Sequence, residues 1–408
     1  MERLFIITGA DGHLGSALVR LLRTRKVKVR GFVLPGHSPV KVPEVTYYEG
    51  DVRDKDSIRP LFENIPEETE VYVIHTAGIV DISHDVSQRV WEVNVCGTKN
   101  MLDICREYNV KRLVYVSSVH AIPEGDKSSV LTEVDHFDPA WVVGGYAKTK
   151  AEATQAVLDA AADGLNAVIV HPSGIIGPYN GKGNHLIQMV NDYLHGKLPA
   201  CVNGGYDFVD VRDVALGCLL AAEKGRAGQC YILSNRHYEI REVISILRKS
   251  AGGRRIPVIP MWLAKMVAPI FEYTAKRKKK LPLYTGYSLR TLTANDKFSH
   301  DKATAELGYR PRDLIQTLKD TASWIIGSDG VLKKKLRKLK SGKKKAQPAE
   351  AAENANAAEA GNLIADEAVT GSAEQAKKSG MMKHKRAPKT KKPGRAKTRI
   401  SVLPQSAM

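Results

Sequence analysis

The stretch Leu4-Phe5-Ile6-Ile7-Thr8-Gly9-Ala10-Asp11-Gly12-His13-Leu14-Gly15 decides the fold. A short apolar run ends at glycines spaced three residues apart, and a helical pattern over residues 13–24 follows at once. Gly9 permits a tight turn, Gly12 lets the backbone approach a pyrophosphate, and Gly15 allows close packing of helix on strand. The start of the helix presents N–H groups to such an anion. The pattern predicts a phosphate-binding turn, with a tight turn that binds no ligand as the alternative.

The first half of the chain repeats this alternation of strand and helix. Other runs rich in β-branched residues predict strands at 27–33, 71–75, 112–117 and 167–170. Amphipathic patterns predict helices at 56–62, 86–108 and 146–162. Strands and helices in this order pack as a parallel sheet with helices on both faces. We therefore expect an α/β fold with a doubly wound parallel sheet.

The positive charge is concentrated at the end of the chain. The formal net charge is +18, and residues 331–408 contain 20 Lys or Arg against 6 Asp or Glu. This tail has no aromatic residue and few branched apolar ones, so we predict that most of it is disordered, with a helical start over 331–345. It is either a solubilising segment or an electrostatic tether to nucleic acid or an anionic membrane.

Several features bear on the compartment and on metal binding. The five cysteines form no C-x-x-C pair, which argues against a disulfide scaffold and a zinc site. The early glycine argues against a secretory signal, and the apolar stretch 256–271 is too short and interrupted to span a bilayer. No His, Cys, Asp and Glu cluster has metal-ligand spacing. We expect a soluble cytoplasmic protein without a metal, with a membrane-peripheral position as an alternative.

A candidate catalytic group lies at the start of the helix predicted over 146–162. Tyr146 and Lys150 are four residues apart and therefore share a helix face. A free phenol is a poor base at neutral pH, and a neighbouring ammonium would lower its pKa. Ser118 follows a predicted strand, where a hydroxyl can bond a substrate oxygen, and Ser117 is the alternative. A solvated Tyr–Lys pair and strand-capping serines are the structural alternatives.

These motifs, with segments 171–178 and 207–215, resemble in chain order the extended short-chain dehydrogenase/reductase family, which includes NAD-dependent epimerases and dehydratases. The resemblance covers residues 1 to about 325 and is best for the dihydroflavonol reductase and 3β-hydroxysteroid dehydrogenase branches. It implies a Rossmann-type core over 1–171, a smaller substrate-binding part over 172–330 interleaved with the end of that core, and the separate tail 331–408. It also implies a homodimer.

The resemblance further assigns roles to single residues. Lys150 would also bond the nicotinamide ribose, and Asp51 would reach the adenine. The cofactor-binding candidates are Gly9, Asp11, Gly12, His13, Leu14, Gly15, Asp51, Val52, Thr76, Ala77, Gly78, Asn94, Lys150, His171 and Pro172. His13, His75 and His171 have structural alternatives, on a helix surface for His13 and as packed side chains for the other two.

The end of the second predicted strand normally distinguishes NAD from NADP. An acid there bonds the ribose 2′-OH, whereas arginine accommodates a 2′-phosphate. Leu34 stands where the family has arginine, and no acid closes the strand. His37, Ser38 or Lys41 could still contact a phosphate. The sequence therefore indicates NAD or NADP, with NAD favoured.

The second half of the chain gives weaker indications of the substrate. Ser117, Tyr179, Asn184 and Tyr206 are candidate substrate-pocket residues, or simply surface residues. The apolar stretch 256–271 leads to Lys276-Arg277-Lys278-Lys279-Lys280, which suits a lipidic or aromatic alcohol drawn from a membrane surface, or is a helix with a solvated basic end.

Three functions follow from the sequence. The first is an NAD(P)-dependent oxidoreductase that interconverts a secondary alcohol and a ketone on a steroid- or flavonoid-like small molecule. The second is a nucleotide-sugar epimerase or dehydratase, against which stands the lack of arginine between residues 178 and 209 to grip a diphosphate. The third is a non-enzymatic dinucleotide sensor held by its basic tail.

Overall fold

A parallel sheet flanked by helices forms the centre of the computed structural model. The structure describes residues 2–334 except 38, 40–41, 82–85, 127, 180–182 and 278–284. The strands are β1 (Arg3–Thr8), β2 (Lys28–Val33), β3 (Val45–Glu49), β4 (Glu70–His75), β5 (Arg112–Val116), β6 (Ala167–Pro172), β7 (Gly174–Ile176), β8 (Cys201–Val202), β9 (Gly205–Asp210), β10 (Cys230–Leu233), β11 (Arg236–Glu239) and β12 (Val258–Ile259).

The helices alternate with these strands in the first half of the chain. They are α1 (His13–Thr24), α2 (Lys55–Ile58), α3 (Gln88–Trp91), α4 (Gly97–Glu107), α5 (Gly145–Ala162), α6 (His185–Leu194), α7 (Val211–Lys224), α8 (Ile240–Ala251), α9 (Met261–Arg277), α10 (Gly286–Thr291) and α11 (Leu314–Ser328). None of these helices is long and apolar enough to cross a membrane.

The central sheet has the strand order β10-β6-β5-β4-β1-β2-β3, and every neighbouring pair is parallel. Apolar side chains from α4 and α5 cover one face of the sheet, and those from α1 and α7 cover the other. The chain order reverses beside β1, which is where ligands bind in open sheets of this kind. The predicted doubly wound parallel sheet is therefore confirmed.

A smaller part packs its own core beside the sheet. It contains the three-stranded sheet β11-β9-β7 and the pair β12-β8. Buried residues from Ile176 to Leu332 form this core, which includes side chains of α6, α8 and α11. Because β10 returns to the central sheet, this part is interleaved with the first. The division at residues 171 and 172 stays a prediction, and the described residues all lie within one compact unit, Met1–Gly342.

One helix prediction is wrong. The pattern over 86–108 predicts a single helix, but the helix begins at Gln88 and a π-helical turn, Glu92–Cys96, separates α3 from α4. At this turn the hydroxyl of Thr98 donates to the carbonyl oxygen of Asn94 at 2.7 Å. Such π turns are rare single turns inside α-helices, and the helical pattern of the sequence does not predict them.

The basic segments for which the sequence makes predictions lie mostly outside the described residues. A helical start is predicted over 331–345, and the structure describes residues 331–334 of it, which are helical. Leu332 is buried in the core of the smaller part. The rest of the tail and the lysines at 278–280 lie outside the described residues.

The glycine turn packs as the sequence predicts. Gly9 has a φ of +65°, a left-handed conformation that favours glycine. A Cβ atom on Gly15 would lie 2.1 Å from the carbonyl oxygen of Gly9 and 2.8 Å from the Cα atom of Ala10. Since both contacts are backbone atoms, no side chain can move aside to make room.

Replacing Gly15 with alanine should therefore destabilise the protein. We expect Gly15→Ala to lower the free energy of unfolding by about 1–3 kcal/mol, the usual cost of overpacking a rigid site. Gly327→Ala is the matched control, because nothing lies within 4 Å of a Cβ there and residue 327 is in the last turn of α11. Urea denaturation measures both, and equal stability of Gly15→Ala and the wild type would contradict the packing described.

Candidate active site

A cavity of about 680 Å³ opens at the carboxyl ends of β1, β4, β5 and β6, between the central sheet and the smaller part. This volume is typical of sites for small organic ligands. The cavity brings together many of the residues predicted from the sequence, namely Gly9, Gly12, His13, Leu14, Gly15, Thr76, Gly78, Ser117, Ser118, Tyr146, Lys150, Pro172, Asn184 and Tyr206.

Other predicted residues are not among those lining the cavity. They are Asp11, Asp51, Val52, Ala77, Asn94, His171 and Tyr179. Tyr179 packs instead on α1, where the Arg20 guanidinium lies 4.7 Å from the centre of its ring. The Asp51 carboxylate accepts two hydrogen bonds from the Arg53 side chain, which lower the pKa of Asp51. Ala77 donates its backbone N–H to the Thr8 hydroxyl at 3.1 Å.

Tyr146 and Ser118 form a hydrogen-bonded pair in the cavity wall. Tyr146 lies in the first turn of α5 and is buried, and burial raises the pKa of its phenol to about 12. The hydrogen bond with the Ser118 hydroxyl acts in the opposite direction. The Ser118 oxygen also accepts the backbone N–H of His120 at 3.2 Å, which fixes the serine rotamer. The phenol is therefore protonated at neutral pH and placed to give a proton to a bound oxygen.

The Lys150 ammonium is buried behind this pair. It donates to the carbonyl oxygen of Val116 at 2.7 Å and to the Tyr115 hydroxyl at 3.3 Å. Burial lowers the pKa of Lys150 to about 7. The expected effect of this ammonium on the Tyr146 pKa is not seen, because its hydrogen bonds are made to the end of β5 and only Ser118 lowers the pKa of the phenol.

The two serines at the end of β5 have different partners. The Ser117 hydroxyl lies 2.6 Å from the hydroxyl of Thr154 on α5, and both groups are buried. Ser118 instead bonds Tyr146, and its role as the residue that contacts substrate oxygen stays a prediction. Ser117 lines the cavity, but its hydroxyl holds α5 against the strand.

Two histidines beside the strand ends are buried and neutral. His75 lies between the hydroxyls of Thr8 and Thr98, at 2.7 and 3.2 Å, and burial lowers its pKa to about 3. His171 donates from Nδ1 to the carbonyl oxygen of Ser118 at 3.0 Å and stacks on Phe137. Burial lowers the pKa of His171 to about 4, and its Nε2 has no partner among the described residues. Both histidines are packed side chains, which is the structural alternative that the sequence analysis gave for them.

Asn94 supports the turn that follows β4. Its side-chain oxygen accepts the backbone N–H of Ile79 at 2.8 Å, and its amide donates to the carbonyl oxygen of Ile79 at 3.0 Å. The same amide donates to the Thr149 hydroxyl at 3.1 Å. The π-helical turn brings Asn94 to this position, so the side chain joins the backbone after β4 to the start of α5.

His13 joins the glycine turn to the smaller part. Its Nδ1 accepts the side-chain amide of Asn184 at 3.1 Å, and its Nε2 donates to the carbonyl oxygen of Pro178 at 3.1 Å. Both ring nitrogens are thus occupied, and burial lowers the pKa of the ring. The His13 side chain is therefore a positioning group in this structure, and the backbone at the start of α1 is what remains for a phosphate.

The sequence reasoning missed much of the cavity lining, including His120, Glu124, His185 and Tyr287. The His120 ring meets the Tyr146 ring edge-on, with 6.2 Å between centres. The Tyr287 ring fits against Gly144, where a Cβ atom would lie 2.2 Å from a ring carbon. Both ring nitrogens of His185 are buried without a partner among the described residues. His120 and His185 adjoin predicted site residues, which was an available signal, whereas nothing in the local sequence marks Tyr287.

The arrangement fits a bound dinucleotide and gives no sign of a metal. Gly9, Gly12 and the first residues of α1 form a cradle that a Cβ atom would fill, since one on Gly12 would lie 3.1 Å from the Gly9 carbonyl oxygen. Such a cradle with helix N–H groups suits a pyrophosphate. Among the described residues, no cluster of three or more His, Cys, Asp or Glu side chains could hold a metal ion.

The region beyond β2 bears on the choice of nicotinamide cofactor. Leu34 follows the strand and is 41% exposed. The Glu49 carboxylate accepts the backbone N–H of Gly36 at 3.3 Å, and the Asp11 carboxylate pairs with His37 at 2.5 Å. Acidic groups thus lie near this loop. Ser38 and Lys41, the other candidates for a phosphate contact, lie outside the described residues.

Comparison with known proteins gives consistent matches. The model of the NAD dependent epimerase/dehydratase family matches residues 5–240. The chain is 31% identical over 328 residues to sterol demethylase protein B of Methylococcus capsulatus, covering 78% of this chain and 97% of that protein. It is 30% identical over 343 residues to 3beta-hydroxysteroid-dehydrogenase/decarboxylase isoform 1 of Arabidopsis thaliana, covering 76% of each. The crystal structure of gox2253 superposes with a TM-score of 0.65 at 29% identity, covering 79% of this chain and 97% of that one.

The chain therefore belongs to the NAD dependent epimerase/dehydratase family, and the resemblance to extended short-chain dehydrogenases/reductases is confirmed. The predicted nicotinamide cofactor agrees with this family, whose members are NAD-dependent.

The buried neutral histidines predict acid sensitivity. The pKa of His171 is about 4 in the folded chain, against about 6.5 for an unfolded histidine. Its contribution to stability is therefore complete above pH 6.5 and is lost as the pH falls toward 4, at up to about 1.4 kcal/mol per pH unit. We expect His171→Phe to make the fall in the free energy of unfolding between pH 6.5 and 4.5 shallower in urea titrations.

His136→Gln is the control, because His136 is exposed. This variant should keep the wild-type pH dependence of the free energy of unfolding. An unchanged slope in His171→Phe would mean that this histidine is not buried in its neutral form.

Proposed function

We propose that this chain is an NAD-dependent oxidoreductase that interconverts a secondary alcohol and a ketone on a hydrophobic, steroid- or flavonoid-like substrate. One observation carries the proposal: a mostly apolar cavity is lined by the hydrogen-bonded Tyr146–Ser118 pair and by Lys150. The names of the two relatives, a sterol demethylase protein and a 3beta-hydroxysteroid-dehydrogenase/decarboxylase, support a sterol-like substrate.

The proton chemistry is assigned to Tyr146. In the reducing direction, the protonated phenol gives its proton to the carbonyl oxygen, and in the oxidising direction the phenolate takes the hydroxyl proton back. The Ser118 hydroxyl bonds the same substrate oxygen and stabilises charge that develops on it. NAD held at the glycine turn and the start of α1 would supply the acceptor for the hydride of the carbinol carbon, and its reduced form would supply the hydride in the opposite direction. Lys150 holds the end of β5, and so Ser118, against α5.

Cofactor binding is assigned mainly to backbone groups. The glycine turn and the start of α1 would hold the pyrophosphate, with Thr76 and Gly78 along the nicotinamide half and Lys150 on its ribose. The Asn94 side chain positions the turn that follows β4. Asp51 and Val52 remain proposed adenine contacts.

The cavity walls favour an apolar substrate over a nucleotide sugar. Its apolar lining comes from both parts of the chain and consists of Ile79, Val80, Val119, Ile122, Leu131, Val142, Val143, Ile175, Leu186, Met189, Ile240, Leu292, Ala294 and Phe298. No arginine is found among the described residues that line it, whereas a nucleotide diphosphate is usually gripped by one. The rings of His120 and His185 are left to bond a substituent of the substrate, whereas the Glu124 carboxylate accepts a hydrogen bond from Arg290 at 3.3 Å.

The proposed substrate roles differ among the residues chosen from the sequence. Tyr206 donates its hydroxyl to the carbonyl oxygen of Ser288 at 3.2 Å, so it contributes a ring surface to the pocket. Asn184 caps α6 through the backbone N–H groups of Leu186 and Ile187 and also faces the cavity. The homodimer, the cytoplasmic location and the tail as a tether remain proposals.

A turnover screen tests the function directly. Hydroxysteroids, flavonoids and nucleotide sugars would each be incubated with NAD while the absorbance of reduced cofactor is followed. We expect net reduction of NAD with a hydroxysteroid. Conversion of a nucleotide sugar with retained cofactor would instead identify an epimerase or dehydratase, and cofactor binding without any conversion would favour a sensor.

Removal of the Tyr146 hydroxyl should abolish most of the activity. We expect Tyr146→Phe to lower kcat by about 10²- to 10⁴-fold, the usual contribution of a positioned general acid or base, with an unchanged Kd for NAD. Tyr179→Phe removes a phenol outside the cavity and should keep full activity. A Tyr146→Phe variant with full turnover would show that another group moves the proton.

The loop after β2 predicts a preference for NAD. Because Leu34 occupies the position of an arginine that would bind a 2′-phosphate, we expect a lower KM for NAD than for NADP. Leu34→Arg should lower the KM for NADP by about tenfold and leave the KM for NAD nearly unchanged. Leu34→Gln is the uncharged control. A wild-type enzyme that prefers NADP would contradict this reading of the loop.

A further inference from the structure

One face of α9 exposes a continuous apolar stripe. Trp262, Met266, Ile270 and Tyr273 are 64, 67, 64 and 57% exposed. Their spacing of four, four and three residues places all of them on one side of the helix. Single exposed apolar side chains are ordinary on protein surfaces, but a row of large ones along one helix marks an interaction surface.

The opposite face of α9 is anchored in the protein. Ala264 and Ala268 are buried in the core of the smaller part. The helix also packs against α10, and α10 supplies Tyr287, Ser288 and Thr291 to the cavity lining. The stripe therefore lies on the outer side of a helix whose neighbour forms a wall of the candidate active site.

Positive charge accompanies the stripe. Residues 254–280 contain eight Lys or Arg and a single acid, Glu272. Lys265 and Arg277 are exposed, and the Arg277 guanidinium lies 4.8 Å from the centre of the Tyr273 ring at the end of the stripe. Apolar side chains beside lysine and arginine form the pattern of helices that lie in the interface of an anionic bilayer.

The geometry points to α9 as a membrane-docking face: the stripe inserts among the lipids of an anionic bilayer surface, and the basic residues around it contact the lipid head groups. Docking in this way brings α10, and with it one wall of the cavity, close to the bilayer. This inference is independent of the proposed reaction, because it rests on the surface of α9 and not on the catalytic residues.

Charge argues against the other occupants of this surface. A second copy of the chain placed on the stripe would bring two strongly basic segments together, and like charges oppose such contact. The chain's own tail, residues 331–408, is also basic and has no aromatic side chain to cover the stripe. An anionic lipid surface satisfies both the apolar and the charged groups.

Sedimentation of the full chain with lipid vesicles tests the inference. The probes are phosphatidylcholine vesicles with and without phosphatidylserine. We expect the wild type to bind the anionic vesicles and Trp262→Gln/Met266→Gln/Ile270→Gln to bind them about tenfold or more weakly, since three apolar side chains no longer enter the lipid. The matched control is Val130→Gln/Ile315→Gln/Val331→Gln, which changes exposed apolar residues elsewhere and should bind as the wild type does.

A second measurement locates the contact without relying on a destabilised variant. Brominated lipids in the vesicles should quench part of the tryptophan fluorescence of the wild type. That part should be missing in Trp262→Phe, which keeps an apolar side chain and should still bind. Circular dichroism confirms that each variant is folded.

Equal binding by the stripe variant and the wild type would overturn the inference and leave the tail as the attachment. Failure of the wild type to bind anionic vesicles, or unchanged quenching in Trp262→Phe, would overturn it as well. Turnover does not enter the assay, so its outcome is separate from that of the proposed reaction.

Discussion

The rest of the site depends on the burial of the Lys150 ammonium. A buried charge is costly unless it is hydrogen-bonded, and here the carbonyl oxygen of Val116 accepts its proton at 2.7 Å. This bond fixes α5 against the end of β5, which sets Tyr146 beside Ser118. The same ammonium disfavours a second positive charge nearby, so it helps to keep His75 and His171 neutral. Burial is the larger cause of the low pKa values of both histidines, and the Lys150 charge adds to it. Lys150 thus positions the proposed proton donor.

Local sequence patterns predicted the fold well. The bounds of α1 agree with the predicted helix, and the five predicted strands agree to within a few residues, since glycine spacing and apolar runs are properties of short segments. Strand β3 (Val45–Glu49) was not predicted, and none of its residues is fully buried. The proximity of Ser118, Tyr146 and Lys150 was predictable as well, because each of them lies at the end of a predicted strand or helix. The position of the Asn94 side chain could not be predicted, because its hydrogen bonds form to Ile79 and Thr149 across the fold. Tyr287 comes from a distant part of the chain, and nothing local marks it.

The two parts of the chain contribute different kinds of groups to the cavity. The first half offers backbone N–H groups and small residues around a phosphate cradle, which suits a cofactor common to the whole family. The smaller part adds apolar side chains and a few polar rings, and these would select the substrate. His13 and Asn184 join the two parts by a direct hydrogen bond between the glycine turn and the substrate side of the cavity. The exposed stripe of α9 lies on the outer side of the smaller part. Membrane docking through this stripe would place the cavity near a source of apolar substrate.

Transfer of deuterium tests the central claim most directly. A 3β-hydroxysteroid deuterated at the carbinol carbon would be incubated with the enzyme and excess NAD, and the released cofactor would be analysed by mass spectrometry. A ketone-forming oxidoreductase predicts deuterium in free reduced cofactor, accumulating beyond one equivalent per enzyme. Deuterium found only in steroid, or in cofactor that stays bound to the protein at a single equivalent, would contradict the account.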